Sequence, residues 1–281
     1  MEGERDMKRK VLRIIEAGLA VVLLVSLVMV IRTRMEYAQS ASSYEEAATM
    51  ARLPKFVPVS SEKHREDKEA NVSDPNLSLL AEIDLEELQR TNSDVVGWIT
   101  IPDTVLSYPL LKGTDNNYYL KHSWKKNGSI NGAIFFDFRS NPDLTDFNTI
   151  IYGHRMRDGS MFDSLRAYEA QAHWEAHPSV YLLSGGGAYR YDIFAAYEAK
   201  ADINGPLYSL SYQGADEQEA FIDSCLEQSL IESGIVPTLG NRILTLSTCA
   251  DRGYATRWVV QAVLAEVYTD DGDAFGLDAD Q

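Results

Sequence analysis

Basic side chains are scarce in this sequence beyond its first 34 residues. The 281-residue chain has a formal net charge of −16. Residues 1–34 hold seven basic and four acidic side chains, so residues 35–281 carry a net charge of −19. Because phosphate binding needs a basic surface, this acidic region excludes nucleic acid as a partner. The sequence also lacks internal repeats and long low-complexity tracts, and its 45% of apolar residues suffices for one substantial folded domain.

Cysteine is almost absent, since Cys225 and Cys249 are the only two in the chain. A framework of several disulfides is therefore excluded. The two thiols could form one disulfide, which an extracellular location would permit. Their contexts differ, because Cys225 lies in a helical pattern and Cys249 ends a strand-like run. We therefore prefer a lone buried thiol at Cys225.

One long apolar run is present, at Val11–Ile31, and its length matches the roughly 20 residues that cross a bilayer. Five basic residues precede the uncharged part of the run, and only Arg32 and Arg34 follow it. This bias predicts a cytoplasmic N-terminus at 1–10, a single transmembrane anchor in the cell membrane and an extracellular C-terminal domain. A cleaved signal peptide is the alternative, because small residues that suit cleavage occur at 38–43.

The chain after the anchor divides by composition into three parts. Residues 32–76 are polar, mixed in charge and interrupted by prolines, which suits a tether between membrane and domain. Residues 77–268 alternate apolar runs with turn residues and are predicted to form the folded domain. Residues 269–281 are acidic and are predicted to form a flexible tail.

Two helices are predicted in the folded domain. The first covers Leu77–Gln89, where apolar residues recur at helical spacing after the start signal Asp-Pro-Asn. The second lies between Gly214 and Gly234, where apolar residues again recur at helical spacing. This second helix is inserted before the strand that ends at Cys249.

The rest of the domain consists of short β-like runs separated by turn residues. Eight such runs with polar connections predict a mainly β fold, a closed eight-stranded β-barrel rather than a parallel α/β sheet. The predicted strands are Val96–Ile101, Leu106–Leu111, Gly132–Asp137, Thr149–Gly153, Val180–Ser184, Tyr189–Glu198, Ile243–Cys249 and Trp258–Tyr268.

Three strand ends carry residues that together support acyl transfer. ILTLSTC ends in the thiol of Cys249, TIIYGH ends in the imidazole of His154, and Arg257 directly precedes WVVQAVL. A thiolate can form a thioester, a histidine can accept and return its proton, and an arginine can stabilise an oxyanion. Taken singly, each residue is more often structural or solvated. Residue type and position alone do not show whether the three converge.

Five motifs strengthen this interpretation: TLSTC at 245–249, YGH at 152–154, Arg-X-Val-Val at 257–260, DVVGWITIPDTVLSYPLLKGTDNNYYLKH at 94–122, and GAIFFD at 132–137. The first three resemble the catalytic signature of the sortase family. The last two, and the helix inserted before the cysteine strand, resemble class B sortases. The resemblance covers residues 77–268, which it identifies as a sortase catalytic domain.

The resemblance implies roles for individual residues. It makes Cys249 the nucleophile, His154 the general acid and base, and Arg257 the donor that stabilises the oxyanion and positions substrate. A second arginine, Arg252, lies in the loop before Arg257, and we favour Arg257 because it directly precedes the Trp-Val-Val strand. Four more residues match positions that line the peptide groove in class B members: Asn116, Leu120, Tyr152 and Ser247.

The resemblance also implies an activity, that of a membrane-anchored cysteine transpeptidase. Such an enzyme cleaves a sorting motif of the Asn-Pro-Gln-Thr-Asn kind in secreted proteins and holds the protein as a thioester on Cys249. It then transfers the protein to an amine of the peptidoglycan cross-bridge. The alternatives are a cysteine endopeptidase that hydrolyses similar motifs, a sortase that polymerises pilins through a lysine, and a non-catalytic surface-binding domain. No cofactor is implied.

The remaining histidines do not predict a metal site. His173 and His177 are spaced i, i+4, as in some zinc sites. Trp174 stands where a zinc protease has glutamate, and no third ligand is evident. His122 is predicted to be a surface residue near the groove.

Overall fold

The computed structural model describes residues 2–62, 74–202, 205–248, 255–269 and 275–276. Cys249 and Arg252 lie outside the described residues. The chain divides into two compact units, Met1–Ser43 and Tyr44–Gln281.

Helix α1 (Glu2–Met50) begins the chain. Its large apolar side chains between Val11 and Ile31 are exposed. Within the part of the chain that the structure describes, one helix is long and apolar enough to cross a membrane, and it spans Arg9–Met50. The span predicted at 11–31 therefore lies in a candidate membrane helix.

The larger unit is built on a closed β-barrel. Its strands are β1 (Val95–Thr100), β2 (Ser107–Leu111), β3 (Ile134–Phe136), β4 (Asn148–Gly153), β5 (Ser179–Ser184), β6 (Gly187–Lys200), β7 (Ile243–Thr248) and β8 (Thr256–Thr269), with a short β9 (Phe275–Gly276). The order in the sheet is β6-β5-β1-β2-β3-β4-β7-β8-β9, and β6 also pairs with β8, which closes the first eight strands into a barrel. The predicted eight-stranded closed barrel is confirmed.

The central strands of the barrel are buried along their whole length. Every residue of β4 and β7 is buried, which explains why both read as nearly continuous apolar runs. These two strands are parallel, as are β2 and β3, while the other neighbouring strands are antiparallel. The parallel pairing places the C-terminal ends of β4 and β7 at the same end of the barrel.

Short helices cover the barrel. They are α2 (Pro75–Ala81), α3 (Leu85–Thr91), α4 (Gln171–Ala176) and α5 (Ala215–Gln228), with 3₁₀ helices at Tyr118–Leu120, Phe162–Glu169 and Pro206–Tyr208. The inserted helix predicted between Gly214 and Gly234 is α5. The single helix predicted at Leu77–Gln89 is wrong, because α2 and α3 replace it. Asp84 interrupts the helical pattern and caps α3 instead, since its side chain accepts a hydrogen bond from the backbone N–H of Glu87 at 3.2 Å.

The inserted helix also accounts for one of the two cysteines. Cys225 on α5 is a free, buried thiol that packs against apolar residues of β6 and β8. Burial raises the pKa of this thiol to about 12. The prediction of a lone buried thiol is therefore confirmed.

Part of the segment predicted as a tether, 32–76, is ordered. Helix α1 continues to Met50, and Asn76 binds the backbone of Val57 through both atoms of its amide, at 2.7 and 3.0 Å. In the predicted tail, the described residues are Thr269, which ends β8, and β9, which pairs with β8. The division into anchor, tether, catalytic domain and tail stays a prediction.

Candidate active site

The strand register brings most of the predicted site residues to one end of the barrel. β4 and β7 pair in parallel with Tyr152 opposite Ser247. β7 and β8 pair antiparallel, and the backbone N–H of Trp258 donates to the Thr248 hydroxyl at 2.9 Å. His154 directly follows the last residue of β4, and Arg257 is the second residue of β8. The ends of three adjacent strands therefore carry these groups.

The imidazole of His154 is buried and fixed from one side. Its side chain is only 4% exposed, and Nε2 lies 2.5 Å from the carbonyl oxygen of Leu120. Because a carbonyl oxygen only accepts hydrogen bonds, Nε2 carries a hydrogen and donates it. Nδ1 is then the ring nitrogen that is left for proton exchange.

Two closely packed glycines lie next to this histidine, one in sequence and one in space. A Cβ on Gly153 would lie 2.5 Å from Cδ1 of Ile134 and 2.6 Å from Cγ of Phe162. Gly132 has a φ of +57°, and a Cβ there would lie 2.8 Å from Cδ2 of His154. Close packing therefore requires glycine at position 153, directly before His154. At Gly132, the absence of a side chain lets the backbone approach the imidazole.

Arg257 lies beside two aromatic rings. Its guanidinium carbon is 6.0 Å from the ring centre of Tyr152 and 5.1 Å from that of Tyr208, distances that suit cation–π attraction. Its buried Nε has no hydrogen-bond partner among the described residues. An unsatisfied buried donor is costly, which favours a ligand oxygen as its partner.

A buried carboxylate, Asp137, organises the wall beside Arg257. Arg139 donates to both of its oxygens at 2.8 Å, and Asn116 and the Tyr152 hydroxyl donate to Oδ2 at 3.0 and 3.1 Å. Arg139 also donates to the carbonyl of Tyr208 at 3.1 Å. Burial raises the pKa of Asp137, but the hydrogen bonds from Arg139 and Asn116 and the charge of Arg139 together outweigh it, and the pKa falls below its usual value.

The four predicted groove residues take different positions. Tyr152 and Asn116 bind Asp137, and Asn116 also accepts from the backbone N–H of Phe138 at 2.9 Å. Leu120 is half-buried and offers its carbonyl to His154. The hydroxyl of Ser247 is buried and lies 3.0 Å from that of Tyr208.

Sequence reasoning missed Asp137, Arg139 and Tyr208. Asp137 ends the GAIFFD motif and so had a local signal, although nothing in the sequence indicated what binds it. Tyr208 lies in a 3₁₀ helix of the connection after β6, far in sequence from Ser247. Its place beside Arg257 depends on tertiary packing alone.

Three other histidines, His122, His173 and His177, contact other aromatic rings. The rings of His173 and His177 are 4.7 Å apart, and burial together with the neighbouring His177 lowers the pKa of His173. No group of three or more potential metal ligands occurs in the described ranges. The ring of His122 stacks on Tyr118 at 3.9 Å, within the segment that supplies the Leu120 carbonyl.

Known proteins share this sequence and fold. A family model described as "Sortase domain" matches residues 99–265. "Sortase B" of Listeria monocytogenes is 39% identical over 183 residues, which cover 64% of this chain and 74% of that protein. "Sortase B" of Staphylococcus aureus is 30% identical over 261 residues, which cover 92% of this chain and 98% of that protein. The crystal structure of Sortase B complexed with Gly3 has a TM-score of 0.67 at 27% identity, and the match covers 83% of this chain and 99% of that one.

These similarities extend over most of the chain rather than over one motif. The family match covers more than half of the residues, and the Staphylococcus aureus relative aligns along nearly its whole length. The closed eight-stranded barrel agrees with both. The chain therefore belongs to the sortase family, as a cysteine transpeptidase of class B.

Proposed function

We propose that Cys249 is the nucleophile of this transpeptidase, His154 its general acid and base, and Arg257 its oxyanion donor. The strand register carries this proposal. β4 and β7 run parallel, and their last described pair is Gly153 opposite Thr248. In the sequence, Cys249 directly follows Thr248 and His154 directly follows Gly153, so each residue comes next after the end of one of two neighbouring parallel strands. Strands paired in this way lie about 4.8 Å apart, so groups that follow their ends begin close together.

The second register supports the arginine. β7 and β8 are antiparallel, and Ser247 lies opposite Val259. Arg257 precedes Val259 by two residues, and Cys249 follows Ser247 by two residues. The thiol, the imidazole and the guanidinium would then occupy neighbouring positions on three adjacent strands. Arg252 gains no comparable support from the register, so we retain Arg257.

The hydrogen-bond pattern gives each group a step in the reaction. Nδ1 of His154 takes the thiol proton, because Nε2 already donates to Leu120. The thiolate attacks the scissile carbonyl, the C–N bond breaks, and the leaving amine takes the proton from His154. An incoming amine then attacks the thioester and passes its proton through His154 to the departing sulfur. At each tetrahedral intermediate the oxyanion would accept a hydrogen bond from Arg257.

The acyl donor we propose is a sorting motif in a secreted protein, and the acceptor is the amine of a peptidoglycan cross-bridge. The related Sortase B structure contains Gly3, a short peptide with a free amino group. An amine of that kind fits the acceptor role in this chain as well. Asn116, Leu120, Tyr152 and Ser247 would line the peptide groove, with Leu120 also orienting His154 through its carbonyl.

We further propose that helix α1 anchors the enzyme in the cell membrane. Residues 11–31 would cross it once, with residues 1–10 in the cytoplasm and the barrel outside. The candidate span in α1 supports this arrangement. Protease added to intact cells should digest the barrel but spare a tag at residue 1; protection of the barrel would contradict the orientation.

The direct test uses the full chain in detergent with sorting-motif peptides and triglycine. Mass spectrometry should detect the cleaved peptide joined to triglycine. Cys249→Ala should give no product, whereas Cys225→Ala should retain activity, because Cys225 is buried in an apolar cluster. Product formation by Cys249→Ala would overturn the nucleophile assignment.

The same assay separates transfer from hydrolysis. A nucleophilic amine should accelerate turnover of the thioester in a transpeptidase and leave a strict hydrolase unchanged. Hydroxylamine is suitable because it is a small and strong nucleophile. Equal turnover with and without it would favour the endopeptidase alternative.

A further inference from the structure

The C-terminal turns of α1, residues 44–50, pack on the barrel next to the proposed active site. Tyr44 is 9% exposed, and Ala47 and Ala51 are fully buried. The Tyr44 hydroxyl donates a hydrogen bond of 2.7 Å to the carbonyl oxygen of Gly132. An ion pair between Glu46 and Lys125 at 2.5 Å adds a second contact. This end of α1 therefore contacts the loop at Gly132, and Gly132 packs against His154.

Gly132 couples Tyr44 to His154 because the backbone of Gly132 is closely packed against its neighbours. With φ at +57°, its Cα lies so close to its neighbours that a Cβ would be 2.5 Å from the Tyr119 carbonyl and 2.8 Å from Cδ2 of His154. The same Cβ would be 3.0 Å from the Leu120 carbonyl, which accepts the hydrogen bond from His154. A shift of Gly132 would therefore move the imidazole or its acceptor.

The ring of Tyr44 is also linked, through Tyr108, to the segment that follows His154. It meets the ring of Tyr108 edge-on, with centres 5.1 Å apart and planes at 88°. The Tyr108 hydroxyl accepts a hydrogen bond from the backbone N–H of Met161 at 3.0 Å. Met161 has a φ of +56° and forms a β-bridge with Arg155, the residue after His154. The two tyrosines thus hold the two loop segments that flank the imidazole.

We propose that Tyr44 is a positioning residue for catalysis, which acts through Gly132 to hold His154 in the orientation that presents Nδ1 to the thiol. The inference rests on the proposed role of His154. The Tyr44 hydroxyl is buried, and burial raises its pKa far above the ordinary value, so it stays a neutral donor across the working pH range. Without this donor, the Gly132 loop loses a fixed contact and the imidazole gains freedom.

The test is Tyr44→Phe in the full chain, with Tyr168→Phe as its matched control. Tyr168 is also buried and also donates a 2.7 Å hydrogen bond to a backbone carbonyl, that of His177. Both changes remove one hydroxyl and should lower the melting temperature by similar amounts. Only Tyr44→Phe should lower kcat, by about tenfold with KM unchanged, because a misplacement of about 1 Å costs about a hundredfold and the loop is only partly released.

A spectroscopic readout makes the test independent of turnover. In ¹⁵N-histidine-labelled protein, the signals of His154 are assigned as those lost in His154→Ala. Tyr44→Phe should shift the Nε2 signal away from that of a hydrogen-bonded N–H, and Tyr168→Phe should leave it in place.

The outcomes separate this inference from the proposed function. If Tyr44→Phe matches Tyr168→Phe in kcat and in the Nε2 signal while His154→Ala is inactive, the positioning role is wrong and the catalytic assignment stands. If His154→Ala retains activity, the catalytic assignment itself fails.

Discussion

The carboxylate of Asp137 offers a prediction whose size can be worked out from its contacts. Asp137→Asn keeps the shape of the side chain and removes its charge. Removing one partner of a fully buried ion pair costs about 3–5 kcal/mol. The side chain of Asp137 is fully buried, whereas that of Arg139 is 40% exposed, which weakens the pair. We therefore expect a loss of about 2–3 kcal/mol in the free energy of unfolding, or about 5–10 °C in melting temperature for a domain of this size.

The pH dependence of this loss has a definite sign. The pKa of folded Asp137 lies below its usual value, so its contribution to stability is present above the unfolded pKa of about 3.9. That contribution disappears as the pH falls through the folded pKa. Thermal unfolding should thus show a large difference between wild type and Asp137→Asn at pH 7 that shrinks towards pH 2.

A surface ion pair provides the comparison. Glu169 lies 3.4 Å from Arg166, and both side chains are 54% exposed. Glu169→Gln should therefore cost less than about 1 kcal/mol at any pH. If Asp137→Asn lost no more stability than Glu169→Gln at pH 7, the organising role of Asp137 would be refuted.

Three further changes test other parts of the site. Gly132→Ala should lower kcat at least a hundredfold in the peptide assay, because the new Cβ would meet His154. Gly128→Ala should be tolerated, because no atom lies within 4 Å of a Cβ there. Equal activities of the two variants would contradict the packing argument. A thiol reagent at pH 8 should add one label to the native chain and two after denaturation, counted by mass, because burial raises the pKa of Cys225 to about 12. Arg257→Lys should lower kcat/KM at least tenfold, because a point charge does not reproduce the guanidinium fork, and near-normal activity would remove Arg257 from the mechanism.

The strands could be predicted because their sequence pattern is local. Runs such as TIIYG and ILTLST are apolar and β-branched, and turn residues bound them, so the predicted and observed strands agree within a few residues. β3 is shorter than predicted, because Gly132 takes a positive φ and Asp137 turns away to bind Arg139. The two helices at 75–91 were predicted as one, because the helical spacing of apolar residues continues past Asp84, although Asp favours an N-cap over a helix interior.

The site could be predicted only in part for a related reason. His154 and Arg257 lie at strand ends, where a local pattern shows them. Tyr208 and Tyr44 contact the site from segments with no motif of their own, across 39 residues to Ser247 and 88 residues to Gly132. Contacts of this kind depend on which elements the fold brings together, and no local pattern encodes them.

Closure of the barrel decides how a peptide can be recognised. Each of the eight barrel strands has a neighbour on both sides within the described sheet. A bound peptide therefore finds no open strand among these eight to extend, which removes from the barrel the main-chain ladder that many peptide-binding domains use for affinity. Selectivity must then come from side chains and loop carbonyls at the rim. Substitutions there can exchange one target peptide for another while the hydrogen bonding of the sheet stays intact.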